Sequence, residues 1–193
     1  NLPSVKAAWG GVLGFAQFIK IVDGETVLIS NGFAPTFGAA WDSNPYAAQW
    51  SLVEGGPPTN TKEVVMDVVT AENHDFSVGD RVTVLAGATP ASFTIVGIAE
   101  FANVGAPGGA TFALFEFRTA QKLLDSKGEV DLINVVIENN FDINDVKTEI
   151  TNLDSENLNV INAQEAAAEQ ADSIKQGLDF FNTILNVFAG IAI

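Results

Sequence analysis

The end of the chain is the feature that most constrains its fold. After Asp179 there is no charged residue, and ten of the fourteen positions from 180 to 193 are apolar, beginning with Phe180 and Phe181. A membrane-spanning helix needs about 20 apolar residues, whereas fourteen helical residues at about 1.5 Å each reach only about 21 Å. Because the run is apolar on several sides, we predict that residues 180–193 are the start of a truncated transmembrane helix. The alternative is an amphipathic helix that packs on the domain's own core.

The segment before this run is rich in strong helix formers. Residues 162–175 contain many Ala, Glu and Gln residues and no proline. We therefore predict one long helix over residues 163–193, with a water-soluble first half around Ala171 and a membrane-like second half.

The composition predicts a globular protein. Hydrophobic residues make up 47% of the 193 residues and charged residues 17%, so apolar burial can offset the entropy lost on folding. The net charge of −15 makes a basic nucleic-acid-binding face very unfavourable, and we predict no nucleic-acid partner. Without cysteine there are no disulfides and no thiolate metal sites.

Hydrophobic periodicity and turn residues predict an α+β protein. The predicted elements in chain order are a helix over 3–8, a strand-like run over 12–22, a strand over 26–30, a strand over 63–68, a helical turn over 70–74, strands over 81–85 and 92–98, a strand over 112–117, a helix over 119–124 capped by Thr119, a strand over 131–138, a helix over 142–153 capped by Asp142, and a strand over 158–161. Residues 31–60 carry several Pro and Gly residues and are predicted to be mostly loop, with one or two short elements. The predicted elements thus give a β-rich and loop-rich part over about residues 31–110 and a β-α-β-α-β part over residues 111–162.

Catalytic and cofactor sites are not predicted. The single histidine, His74, has Asp75 beside it, but adjacent positions on a turn point in different directions and cannot converge on one metal ion. A solvated surface histidine is the favoured interpretation, and a soluble hydrolase using His74 and Asp75 is the weakest of the functional alternatives. No phosphate-cradling glycine motif occurs, since the Gly-rich residues 105–109 precede a strand rather than a helix. We therefore predict no cofactor and no metal.

Two tryptophans lie in the loop-rich segment. Trp41 and Trp50 could form a partner or ligand surface, or a tryptophan could close the core of a small subdomain, which is the commoner arrangement.

Four motifs in register resemble a known family. They are Trp50–Pro58 (WSLVEGGPP), Glu63–Asp67 (EVVMD), Phe76–Val84 (FSVGDRVTV) and Phe93–Ile98 (FTIVGI). In this order and spacing they resemble the extracytoplasmic (periplasmic) core domain of MacB/FtsX-like ABC transporter permeases. The composition and the loop over 41–58 are similar to the actinobacterial branch. Independently of the family, Gly79 suits a turn of positive φ, and Gly97 suits the end of a strand where a side chain would crowd a neighbour.

The resemblance implies a fold and a place in the cell. The fold would be a mixed α/β porter-like subdomain with a smaller β-rich inserted subdomain and a long C-terminal helix that leads into the membrane. Residues 1–179 would lie on the extracytoplasmic side of the cell membrane, between the first two of four transmembrane helices. The partners implied are the protein's own transmembrane helices, a second permease copy in a dimer, and a cytoplasmic ATPase subunit that does not contact this domain and performs all the catalysis. The domain itself would be no enzyme.

The resemblance also implies a function. The domain would couple cytoplasmic ATP hydrolysis to export or extraction of a lipid, lipoprotein, peptide or drug by mechanotransmission, through a coupling helix that contains Ala171, Phe180 and Phe181. The alternative is an extracytoplasmic binding or signalling module that activates a partner such as a cell-wall hydrolase.

Overall fold

The computed structural model describes residues 2–22, 25–32, 34–42, 44–46, 49–87, 89–101, 105–106, 109–154, 158–162 and 164–165. The strands in these residues are β1 (Val5–Gly11), β2 (Leu13–Phe15), β3 (Gln17–Val22), β4 (Glu25–Ile29), β5 (Thr36–Ala40), β6 (Trp50–Gly55), β7 (Glu63–Asp67), β8 (Arg81–Ala86), β9 (Thr89–Phe101), β10 (Thr111–Phe115) and β11 (Leu132–Ile137). The helices are α1 (Val68–Asn73), α2 (Phe117–Leu123) and α3 (Ile143–Thr151). The predicted α+β class is confirmed.

The chain divides into two compact units. Unit 1 contains residues 1–7 and 137–193, and unit 2 contains residues 8–136. The subdivision predicted at residues 31, 110 and 162 stays a prediction, because the units are divided at other positions.

A mixed sheet of nine strands forms most of unit 2. Its order is β2-β5-β10-β7-β9-β8-β3-β4, and β6 pairs with β9 beside this path. The pairs β5–β10 and β7–β9 are parallel, and the other pairs in this sheet are antiparallel. Two hairpins belong to this sheet, since β3 pairs with β4 and β8 pairs with β9.

The thirteen-residue strand β9 pairs with three other strands. Its first part pairs with β8, its middle with β7 and its last part with β6. Register shifts interrupt the β6–β9 pairing at Leu52/Glu54 and the β7–β9 pairing at Val64/Val65. A Cβ at Gly97 would lie 2.4 Å from the Gly56 carbonyl oxygen, so the close approach predicted there is confirmed. The strand nevertheless continues to Phe101 rather than ending at Gly97.

The larger of two apolar clusters in unit 2 is built mainly from side chains of this sheet. Its largest fully buried apolar side chains are Phe18, Phe115, Ile29, Met66 and Ile95. The buried Gln17 is fully engaged, because its Nε2 donates to the carbonyls of Phe18 (2.8 Å) and Ile29 (2.6 Å) and its Oε1 accepts from Thr36 Oγ1 (3.1 Å). No buried side-chain polar atom in the described residues lacks a hydrogen-bond partner.

Three local predictions are wrong. Residues 3–8 are not a helix, because most of them belong to β1, which pairs with β11 in a separate two-stranded sheet. Residues 158–161 are not a strand, since no described strand pairs with them. The cap of α2 is Glu116 rather than Thr119, because the Glu116 carboxylate accepts from the N–H groups of Arg118 and Thr119. By contrast, Asp142 caps α3 as predicted.

The predicted C-terminal helix falls almost wholly outside the described residues. Ala171, Phe180 and Phe181 all lie beyond residue 165, the last residue described. Within the ranges that the structure covers, no helix is both long and apolar enough to cross a bilayer.

Candidate functional site

Helix α3 is bonded to the N-terminal segment of unit 1. Ser4, which is 1% exposed, donates from its hydroxyl to Glu149 Oε2 at 2.6 Å. The carbonyl of Ser4 also accepts from the N–H of Glu138 at 2.9 Å. Residue 4 is therefore held both by the end of β11 and by α3.

The same helix is bonded to the C-terminal segment of unit 1. Lys147 Nζ donates to both carboxylate oxygens of Glu165, at 2.8 and 2.6 Å. This ion pair is partly exposed, with side-chain exposures of 32% and 42%. The hydrogen bond from Lys147 is the largest cause that lowers the pKa of Glu165, followed by the bond from the Asn162 backbone, so Glu165 is a carboxylate at neutral pH.

Asn162 fixes the position of Glu165. The Asn162 side-chain oxygen accepts from the N–H groups of Gln164 and Glu165, both at 2.9 Å, and Glu165 Oε2 accepts from the Asn162 N–H at 2.8 Å. This reciprocal pair is a capping box for the helical residues 164 and 165. We call Ser4, Lys147, Glu149, Asn162 and Glu165 the α3 junction.

The helical geometry of α3 lets it contact two segments at once. Lys147 and Glu149 are two positions apart, so their side chains point about 200° apart around the helix axis. Asp142 begins the helix by accepting from the N–H groups of Asn144 and Asp145, and Val146 is the buried residue of the helix. A short, well-capped helix thus presents a cation to one segment and a carboxylate to the other.

The α3 junction was not predicted from the sequence. The spacing Asn162-x-x-Glu165 is a capping-box signal and could have been found. The Ser4–Glu149 bond spans 145 positions, and no local pattern points to it.

The two tryptophans of the loop-rich segment meet at one apolar cluster. Trp50 is 8% exposed and belongs to a small buried cluster, and the half-buried Trp41 packs against the same cluster. The Trp50 ring lies 5.0 Å from the ring of Phe112 and 5.3 Å from that of Phe101, centre to centre. The burial of Trp50 favours the core interpretation for that residue, and a partner surface at Trp41 stays a prediction.

Asp67 is a buried carboxylate that was not among the site residues predicted from the sequence. It is fully buried at the end of β7, where Oδ1 accepts from the Thr70 N–H and Oδ2 from the Phe112 N–H, both at 2.8 Å. Burial raises the pKa of Asp67, and the hydrogen bonds from Phe112 and Thr70 oppose that shift only in part. Its position directly before α1 is an N-cap signal that could have been found.

His74 is more enclosed than predicted. It is half-buried at the end of α1, and its Nε2 lies 3.2 Å from the Ser30 carbonyl oxygen. His74 therefore contacts the loop before β5, whereas the sequence predicted a solvated surface histidine. Among the residues that the structure covers, no group of three or more His, Asp or Glu side chains could hold a metal ion.

Comparisons with known proteins identify the family. The family model of the MacB-like periplasmic core domain matches residues 1–153. Among solved structures, the periplasmic region of MacB from Actinobacillus actinomycetemcomitans is similar, with a TM-score of 0.54 and 13% identity over 93% of this chain and 78% of that one. A domain of a protein described as a permease from Porphyromonas gingivalis is also similar, with a TM-score of 0.53 and 12% identity over 82% of this chain and 73% of that one.

At these identities the solved structures establish the shared fold alone, and no curated protein matches the chain. The family is a transporter-permease domain rather than a class of enzymes. The family match covers far more than half of the sequence. The chain therefore belongs to the family of MacB-like periplasmic core domains, which are extracytoplasmic domains of ABC transporter permeases.

Proposed function

We propose that this domain couples cytoplasmic ATP hydrolysis to export or extraction of a lipid, lipoprotein, peptide or drug by mechanotransmission. The observation that carries the proposal is the α3 junction, in which one helix is bonded to both described terminal segments of unit 1. In the proposed topology these two segments continue into the first and second transmembrane helices. Residues 163–193 would form the coupling helix, and residues 180–193 would enter the membrane.

The bonds of the α3 junction suit a transmitting role. Charge-assisted hydrogen bonds are short and directional, so a displacement of residue 165 changes the position of Lys147 and of the helix that carries it. The same helix holds Ser4 through Glu149. A movement of either terminal segment would thus reach the other segment through α3. The partners in this mechanism are the protein's own transmembrane helices, a second permease copy and a cytoplasmic ATPase subunit.

Breaking the junction is expected to test coupling rather than folding. Partly exposed ion pairs contribute little to the free energy of unfolding. Variants of Lys147 or Glu165 should therefore fold normally, and a change in their response to ATP would report on transmission.

The experiment uses the full-length permease with its ATPase in lipid nanodiscs. Hydrogen exchange over residues 137–154 is measured with and without a non-hydrolysable ATP analogue. We expect a nucleotide-dependent change in the wild type, its loss in Lys147→Gln, and its retention in Lys122→Gln, which removes one exposed positive charge from α2.

A charge exchange provides a second arm. The double variant Lys147→Glu with Glu165→Lys restores an ion pair of opposite polarity and should recover part of the nucleotide response. If Lys147→Gln responds to the nucleotide as strongly as the wild type, transmission through α3 is wrong.

A further inference from the structure

We propose that a cleft on unit 2 binds a phosphate group. The cleft has a volume of about 240 Å³ and is lined by Lys62, Arg81, Ser92, Phe93 and Thr94. All five residues belong to unit 2, so the proposal does not depend on the α3 junction or on the proposed transport function.

Strand pairing brings these residues together. Arg81 at the start of β8 lies directly opposite Thr94 of β9, and β7 begins on the other side of Thr94 with Glu63. The Thr94 N–H donates to the Lys62 carbonyl at 2.8 Å, which places Lys62 beside the same part of β9. Ser92 and Thr94 are two positions apart on a strand and therefore share one face.

The cleft concentrates positive charge on an acidic protein. The chain has nine Lys and Arg residues against 24 Asp and Glu residues, and two of the nine line this one cleft. Among the residues that the structure describes, neither Lys62 nor Arg81 forms an ion pair with a carboxylate.

The nearest carboxylates are Glu63, which lies directly opposite Thr94 on β7, and Asp80, which precedes β8, and both are hydrogen-bonded within their own chain segments. Glu63 Oε2 accepts from the N–H and the hydroxyl of Thr59, at 2.7 and 2.9 Å. Asp80 Oδ2 accepts from the Ser77 N–H at 2.9 Å. These carboxylates are held by turns of their own chain segments, which leaves the cations of the cleft available to a ligand.

The donors of the cleft fit phosphate better than a carboxylate. An arginine offers a planar fork of N–H donors, a lysine a compact ammonium, and each hydroxyl one further donor. A phosphate monoester carries a charge of about −1.5 to −2 and three strong acceptor oxygens, which matches two cations and two hydroxyls. A carboxylate carries one negative charge and two oxygens, so it would satisfy only part of this set.

No sequence motif could have revealed this cleft. Lys62 and Arg81 are nineteen positions apart, and the hydroxyls of Ser92 and Thr94 lie on another strand, β9. Only the β7–β9–β8 pairing makes them neighbours.

The experiment is a titration of the 193-residue chain with sodium phosphate at constant ionic strength, followed by amide NMR. We expect saturable binding with shifts at the amides of Ser92 and Thr94. Binding should weaken by about tenfold or more in Lys62→Gln/Arg81→Gln, because two charge-assisted contacts are lost. The matched control, Arg118→Gln/Lys122→Gln, removes the same charge from α2 and should bind within about twofold of the wild type, since neither residue contacts the cleft.

Further titrations distinguish phosphate from a carboxylate, and a soluble phosphate from a lipid headgroup. Sodium acetate should bind more weakly than phosphate. Glycerol phosphate identifies a soluble phosphate monoester as a ligand, whereas binding to vesicles with phosphatidic acid but not to pure phosphatidylcholine vesicles identifies a lipid headgroup. The proposal is overturned if phosphate shows no saturable binding, if acetate binds as tightly, or if both double variants lose binding equally.

Discussion

Replacing Asp67 by alanine should destabilise unit 2 more than the loss of a helix cap alone. The Asp67 carboxylate caps α1 through the Thr70 N–H and also accepts the Phe112 N–H from β10. An N-cap is worth about 0.5–2 kcal/mol, and a donor left without a partner in a largely buried place costs about 1–3 kcal/mol. Burying the carboxylate costs the wild type some stability, which is also why its pKa is raised, and alanine removes that cost. We therefore expect a net loss of about 2–4 kcal/mol in the free energy of unfolding.

Urea unfolding followed by tryptophan fluorescence is a suitable assay. The Trp50 ring lies 5.0 Å from the ring of Phe112, so its emission reports on the β10 region. For a domain of this size the expected loss corresponds to a decrease in Tm of about 4–16 °C.

Glu116→Ala is the matched control. Glu116 caps α2 by accepting from the N–H groups of Arg118 and Thr119, both of which belong to the helix that it begins. Its removal should cost about 1 kcal/mol, the value of a cap. If Asp67→Ala is no more destabilising than Glu116→Ala, the bond between Asp67 and Phe112 contributes nothing and the reasoning is refuted.

Three further predictions follow from the same structure. Burial raises the pKa of Asp67 in the folded state above its usual 3.8, so its contribution to the free energy of unfolding should fall as pH rises from 3.8 through the raised pKa. Urea unfolding at several pH values should therefore show that the difference in free energy of unfolding between the wild type and the non-titrating Asp67→Asn shrinks over that pH range. A constant difference would contradict this. Gly97→Ala places a Cβ 2.4 Å from the Gly56 carbonyl oxygen and should cost about 1–3 kcal/mol in thermal unfolding, whereas a Cβ at Gly56 meets nothing within 4 Å and should have a much smaller effect. Ala171→Pro should destabilise the predicted coupling helix by about 3 kcal/mol or more, without unfolding the domain. In the reconstituted permease it should uncouple ATP hydrolysis from transport. Fully retained coupling would show that the helix is not the transmitting element.

Local sequence signals determined many of the elements and the family. The β-branched runs at Glu63–Asp67 and Arg81–Ala86 predict strands because their side chains suit a half-buried pleated surface, and both strands are present. Asp142 predicts the start of α3 because its carboxylate satisfies N–H groups within the same turn. The four motifs that carry the family resemblance lie in or beside β6, β7, β8 and β9.

Long-range pairing decided what these signals could not. Residues 3–8 have a helix-like beginning, but β1 forms because β11 supplies its hydrogen-bond partners more than a hundred positions away. Residues 158–161 have strand-like composition, yet no described strand pairs with them, and a strand without a partner gains no ladder of hydrogen bonds. The α3 junction and the Lys62–Arg81 cleft depend in the same way on residues far apart in sequence. The sequence by itself therefore determined which segments could become strands or helices, and the tertiary structure alone decided which of them found partners, because a contact's free energy depends on both of its members.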